Sequence, residues 1–441
     1  MKDILSKVSA SFFLKIISAG LAYPIAILLA RQLGTDGYGV YGFVLAVVGV
    51  LIYLVVFGFD QLVVKNANHI NVPDGGNGTY PILSFAFIVI FCLSLLVWAS
   101  FYASSFFIDS IEDLKLEIMI GLLILPIFAS RRIFTSYLRG VGNPVVAIVP
   151  EALIQPLIML TLVLLSYLLG IGLGADLALL FQLTAYACSV MFIGFICVSR
   201  YKLVPTPVKE FRQVIRFGFK EGLLISGFYM AIMATAEGFA MYIDRIMLGI
   251  FSSLGDVGIY LVAARNTSFV LFVESAFLLV TMPLISKGYS SGQDLKKIIS
   301  LQTLLVFLAV TVFVVFFFIF GEWLVALFGE GFHDSYKPLV LLSLGYLIGA
   351  LFGAGPHILM MTGCEKPASI ILLFSTVLNV ILNLALIPIY GIMGAAVATV
   401  VSEILKKSLA YYKLKSLTGI DSSLLTVRYI INRESLRYLW K

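Results

Sequence analysis

In a 441-residue chain with only 12% charged side chains, an ionisable group inside an apolar run is the first place to look for chemistry. Such groups are costly in hydrocarbon and persist where they bind, pair or line water. Lys15 has Ser11, Ser18 and Ala22 at i−4, i+3 and i+7, a small and polar helical face that suits a water-filled cavity. The bland alternative is a lysine snorkelling to headgroups. Arg265 lies about 12 Å into its apolar run at 1.5 Å per residue. Its guanidinium fork could hold a phosphate, or pair with Glu237 or Asp244 on the preceding run. Arg245, next to Asp244, reads as half of an interfacial pair or outer gate. Glu274 follows Arg265 by nine residues, about 900° of helical rotation, so the two point to opposite faces. Glu274 then packs within its own lobe or carries a proton there. Asp60 and Glu151, with Gln155 one turn on and Pro150 and Pro156 on either side, are the other intramembrane acids. The prolines should loosen the helix and free backbone groups around a polar pocket. Asp60 could instead pair with Lys65 or Arg139. The candidate substrate contacts are therefore Lys15, Arg265 and Arg245, and the candidate coupling acids are Glu151, Asp60, Glu237 and Glu274.

A catalytic reading finds little. His69, His333 and His357 fall in three separate segments, and Cys92, Cys188, Cys197 and Cys364 show no CxxC spacing. No GxSxG, HExxH or phosphate-loop motif occurs. No catalytic residue, metal site or cofactor is expected. Any coupling would be to a proton or sodium gradient.

The elements that must hold these residues follow from composition. The chain is 61% apolar with a mean hydropathy of +1.05, against about 45–50% apolar in soluble domains. Soluble enzymes and nucleic-acid binders are excluded. With about twenty residues per crossing, the expected fold is all-α and integral to the membrane. Twelve spans are expected, at roughly 9–32, 38–64, 81–107, 116–138, 145–169, 176–199, 214–248, 257–285, 298–320, 337–361, 368–388 and 392–412. The first is too long for a signal-peptide core and carries Lys15, so it counts as a span. The seventh is overlong and should tilt or break.

A polar stretch with Pro205 and Pro207 divides the chain. This gives an N-lobe (1–200), a cytoplasmic linker (201–213), a C-lobe (214–413) and a basic tail (414–441). Gly39-Val40-Tyr41 matches Gly258-Ile259-Tyr260, and Gly140-Val141-Gly142-Asn143-Pro144 matches Gly363-Cys364-Glu365-Lys366-Pro367, at nearly one offset. An offset of six spans keeps membrane orientation, so the lobes should be parallel repeats related by a pseudo-two-fold along the membrane normal.

Several stretches resemble the polysaccharide-biosynthesis (Wzx-like) flippases of the multidrug/oligosaccharidyl-lipid/polysaccharide exporter superfamily. They are Ala30 to Tyr41 (ARQLGTDGYGVY), Gly58-Phe59-Asp60, Tyr137-Leu138-Arg139-Gly140, Ile243-Asp244-Arg245-Ile246-Met247-Leu248-Gly249 and Val257-Gly258-Ile259-Tyr260. The resemblance implies two lobes around a cavity lined by spans one, two, seven and eight. It implies alternating access that carries an undecaprenyl-pyrophosphate-linked oligosaccharide across the bacterial cytoplasmic membrane for surface polysaccharide such as O-antigen. Membrane lipids and other polysaccharide assembly proteins would be its partners. Related lipid II flippases carry an arginine–acid pair midway along span one, where this chain has Ala22-Tyr23-Pro24-Ile25-Ala26, which argues against lipid II. A cation-coupled multidrug exporter is the rival of the same fold. A glycan polymerase or ligase is the rival of another class, and predicts a large outer loop that is missing here.

With the N-terminus inside, 24 of the 30 lysines and arginines fall on cytoplasmic segments. By the positive-inside rule both termini are cytoplasmic. A C-terminal phosphatase fusion should be silent and a C-terminal fluorescent-protein fusion bright; the reverse pair of signals contradicts this topology.

Overall fold

The computed structural model describes residues 2–70, 81–104, 114–201 and 223–427, and every regular element among them is helical. In chain order these are α1 (Lys2–Val56), α2 (Phe59–Ile70), α3 (Pro81–Ser104), α4 (Lys115–Gly140), α5 (Pro144–Val149), α6 (Gln155–Leu168) and α7 (Ala175–Tyr201). They continue as α8 (Leu223–Phe251), α9 (Leu254–Ser290), α10 (Lys296–Ala326), α11 (Tyr336–Ala350), α12 (Gly355–Met361) and α13 (Glu365–Thr418). The chain forms two compact units, 1–242 and 243–441. Apart from Tyr201, which ends α7, the expected linker at 201–213 lies outside the described residues.

A helix satisfies its own peptide groups, which is why apolar runs in hydrocarbon take that form. Eight helices among the described residues are long and apolar enough to cross a membrane, or nine if α11 and α12 count as one bent span. That falls short of the twelve expected, partly because two of them, α1 and α13, run 55 and 54 residues. A crossing needs about twenty, and each long helix is interrupted by a glycine of positive φ, Gly34 at 68° and Gly391 at 53°. The second expected span also ends early. Phe57 and Gly58 take positive φ of 51° and 72° and break the hydrogen-bond ladder. Residues 59–64 therefore open the separate amphipathic helix α2.

The paired turns noticed in the sequence share a mechanism. After α4, Gly142 has φ 82°, and Asn143 N donates to Leu138 O at 2.9 Å. After α12, Gly363 has φ 76°, and Cys364 N donates to Leu359 O at 2.9 Å. Both are glycine-capped helix ends closed by a six-to-one hydrogen bond. The structurally equivalent glycines are thus Gly142 and Gly363, not Gly140 and Gly363.

Unit 243–441 closes on its own C-terminal residues. α13 continues to Thr418, and residues 419–427 then pack back onto the unit with Ser422 fully buried. The free basic tail expected from 414 therefore cannot begin before residue 428, outside the described residues. Burial pulls the Asp421 carboxyl upward, but hydrogen bonds from Lys415 and Ser423 outweigh it and hold the group below its ordinary value.

A side chain in the left-handed region costs about 1–2 kcal/mol. Gly142→Val and Gly363→Val should each lower the unfolding temperature in detergent by a few degrees, with Gly142→Asn milder. A Gly142→Val protein that melts with the parent contradicts the turn assignment.

Candidate functional site

Consecutive arginines on α4 organise unit 1–242. Neighbouring helix positions are about 100° apart, so Arg131 and Arg132 reach different partners. Arg132 meets the buried carboxylate of Asp60 on α2 at 2.7 Å and stands 4.7 Å from the centre of the Tyr53 ring. The partner of Asp60 is thus Arg132, not Lys65 or Arg139. Arg131, only 5% exposed, donates to Gln155 Oε1 at 3.1 Å. It lies 4.9 and 5.3 Å from the ring centres of Phe128 and Tyr186, distances at which a cation–π attraction operates. Glu151 is 3.8 Å from Arg131, but its side chain is 63% exposed. An exposed pair of that length contributes little.

Glu151 sits where the two prolines act. Pro150–Ile154 forms one π-helical turn between α5 and α6, and Gln155 N donates to Pro150 O. Pro156 lacks an N–H and crowds the carbonyl four residues back, so the chain widens by one residue. π-bulges of this kind recur at functional sites.

Unit 243–441 holds two clusters. Glu274 of α9 accepts from Lys407 of α13 at 2.9 and 2.7 Å, with both side chains mostly buried. Glu274 therefore does pack within its own unit. On the next turn back, Glu403 pairs with Lys406. The second cluster centres on Asp244, which points into the unit instead of forming an interfacial pair with Arg245. Tyr260 Oη donates to Asp244 Oδ2 at 2.9 Å, Asn383 Nδ2 to Oδ1 at 2.7 Å, and Thr399 Oγ1 also donates to Oδ2. Asn383 Nδ2 also reaches Asn379 Oδ1 at 3.1 Å, while Asn383 Oδ1 is buried without a partner.

Among the described residues the enclosed carboxylates are handled in two ways. Asp60 and Glu274 are neutralised by Arg132 and Lys407. Asp244 is met by a phenol, an amide and a hydroxyl, all neutral, among the described residues. Its site is an oxygen-rich pocket on α8, α9 and α13. The pattern was missed because its members are far apart in sequence and Asn and Thr inside apolar runs look unremarkable. The polar spacing Asn379, Asn383 at i, i+4 was the available signal. No three His, Cys, Asp or Glu residues converge among the described residues.

The expected substrate contacts are less enclosed. Lys15 and Arg265 are half-buried on α1 and α9, and Arg245 is half-buried on α8. Lys15 has no hydrogen bond or ion pair among the described residues, and Ser11, one turn before it, is buried. The side chain of Glu237 lies outside the described residues. Arg131, Arg132 and Lys407 are held within helices in paired clusters.

These features define a multi-pass helical membrane protein. Over 93% of the chain the fold matches a solved lipid II flippase, MurJ, in an inward closed conformation, with a TM-score of 0.72, 15% identity and 87% of that chain covered. It also matches an inward-facing multidrug resistance MATE transporter of the MOP superfamily at a TM-score of 0.69 and 14% identity, over 94% of this chain and 99% of that one. At those identities the likeness concerns the fold. Residues 4–289 match the family described as "Polysaccharide biosynthesis protein", and the chain belongs to that family. Similar curated proteins are the probable low-salt glycan biosynthesis flippase Agl15 of Haloferax volcanii, 25% identical over 93% of this chain and 83% of its own length, and the uncharacterized membrane protein MJ1068 of Methanocaldococcus jannaschii, 25% identical over 88% and 79%.

Removing one partner of a buried pair leaves an uncompensated charge, at about 3–5 kcal/mol. Lys407→Met should therefore destabilise the purified protein strongly in detergent melts. Glu274→Gln combined with Lys407→Met should recover most of that loss. Equal melting of the single and double variants rejects the pairing.

Proposed function

We propose that the chain is an alternating-access flippase that moves an isoprenoid-pyrophosphate-linked oligosaccharide, in a bacterium the undecaprenyl-linked form, across the cytoplasmic membrane for surface polysaccharide assembly. Both termini would be cytoplasmic. Family membership and likeness along almost the whole chain to a probable glycan flippase support the cargo class. The observation that supports a coupled carrier is the Asp244 pocket. A carboxylate already paired with lysine or arginine has its charge cancelled, whereas the hydrogen-bond partners of Asp244 among the described residues are all neutral.

Protonation of Asp244, or a sodium ion held by Asp244 with the side-chain oxygens of Asn379, Asn383 and Thr399, would satisfy that charge; an oxygen-only donor set suits a hard cation. The orphan Oδ1 of Asn383 is a ready acceptor for either. Neutralisation would change which helices among α8, α9 and α13 are drawn together, and so could bias a two-state transporter. Lys15, Arg265 and Arg245 are the proposed contacts for the anionic pyrophosphate. Glu151, exposed beside a π-bulge, is the remaining coupling candidate of the N-terminal unit.

Asp244→Asn should abolish gradient-driven glycan export in a strain lacking the native protein, at normal membrane levels by blot. Lys15→Gln and Arg265→Gln should each reduce it, and Lys at 265 should rescue only in part because it loses the fork. Full export by Asp244→Asn rejects this coupling site. Drug resistance conferred without any effect on glycan export favours the multidrug exporter.

A further inference from the structure

The break between α11 and α12 leaves peptide groups that the helix itself cannot satisfy. In a continuous helix the carbonyl of residue 352 would accept from residue 356, but that position is Pro356, which has no N–H. The backbone bends by 45° here, with Gly353 at φ 70°. The carbonyls of Leu351 and Phe352 are instead satisfied by the chain's own C-terminal segment. Leu424 N donates to Leu351 O at 2.9 Å, and Ser422 Oγ donates to Phe352 O at 2.8 Å. Ser422 O in turn accepts from Thr303 Oγ1 of α10 at 3.0 Å. The backbones approach so closely that a Cβ on Gly353 would overlap the Ser422 carbonyl oxygen. Beyond this seam, Asp421 accepts from Lys415 Nζ at 2.9 Å and from Ser423, which anchors the segment to the end of α13.

The seam is polar: its contacts are hydrogen bonds from Leu424 N, Ser422 Oγ and Thr303 Oγ1. Ser422, Ser423 and Thr426 on the segment are themselves buried. A dry apolar seam only loses by opening to water, whereas hydrogen-bonding groups can exchange their partners for water at a smaller net cost.

We propose that residues 419–427 form a clasp that holds the α11–α12 bend by capping its free carbonyls, and that transport depends on this clasp. It makes the C-terminal segment a control element for one helix of unit 243–441. Anything that draws the segment away would leave two carbonyls uncapped within the helix pair, and would admit water to the bend.

The test uses the full chain in membrane vesicles, with the four native cysteines replaced by serine and single cysteines probed with a small water-soluble maleimide. Ser423→Cys should react measurably, while Ile358→Cys, fully buried in α12, should not. Equal silence at both positions makes the segment a fixed part of the core and overturns the proposal. Ala354→Cys, 6% exposed, should then be probed in combination with Leu424→Pro, which removes the N–H to Leu351, or with Thr303→Val, which keeps the shape and removes one hydrogen bond. Each lost hydrogen bond should raise reactivity at 354 by about tenfold. Thr303→Val carries the test if Leu424→Pro does not accumulate in the membrane. Unchanged reactivity at 354 overturns the clasp. Raised reactivity with undiminished export shows that transport does not depend on it, and overturns that half. The labelling arms do not rest on the flippase reading, so the two can fail separately.

Discussion

Inside hydrocarbon a charge or an unpaired peptide group has no water to turn to, and the interior of both units is arranged around that constraint. Asp60 meets Arg132 and Glu274 meets Lys407 because a lone enclosed carboxylate would be far costlier than a closed pair. Arg131 is placed among Gln155, Phe128 and Tyr186 for the same reason. Where the backbone itself breaks, at Pro150 and at Pro356, a π turn in one case and a C-terminal segment in the other take up the freed groups.

Against that background Asp244 stands apart, because its partners among the described residues are all neutral. A static pair such as Glu274–Lys407 stabilises a single arrangement of helices. In the proposed mechanism, a carboxylate neutralised in one state and charged in the other would favour two arrangements in turn. The fold alone does not choose the cargo, since it is shared with both a lipid II flippase and a multidrug transporter. The glycan cargo is proposed on family membership and the similar glycan flippase.

The clasp at 419–427 ties two features that are distant in sequence. The bend exists because of Pro356 and Gly353, and it is tolerable because Ser422 and Leu424 arrive some seventy residues later to cap it. A broken helix and the chain end that completes it thus form one structural unit, anchored through Thr303 to α10.

Much was legible without coordinates. Composition set the solvent, run lengths set the helices, and the repeated glycine turns marked equivalent corners, because each of these depends on residues close together in the chain. Pro150 and Pro156 announced a loosened helix around Glu151 for the same local reason. Partnerships were not legible. Asp60 had Lys65 nearby in sequence but takes Arg132, 72 residues away, and Glu274 takes Lys407, 133 residues away. The Asp244 pocket draws its donors from 16, 139 and 155 residues along the chain. Helical arithmetic says which way a side chain points, but what it meets there depends on which helix packs alongside, and only the tertiary structure decides that.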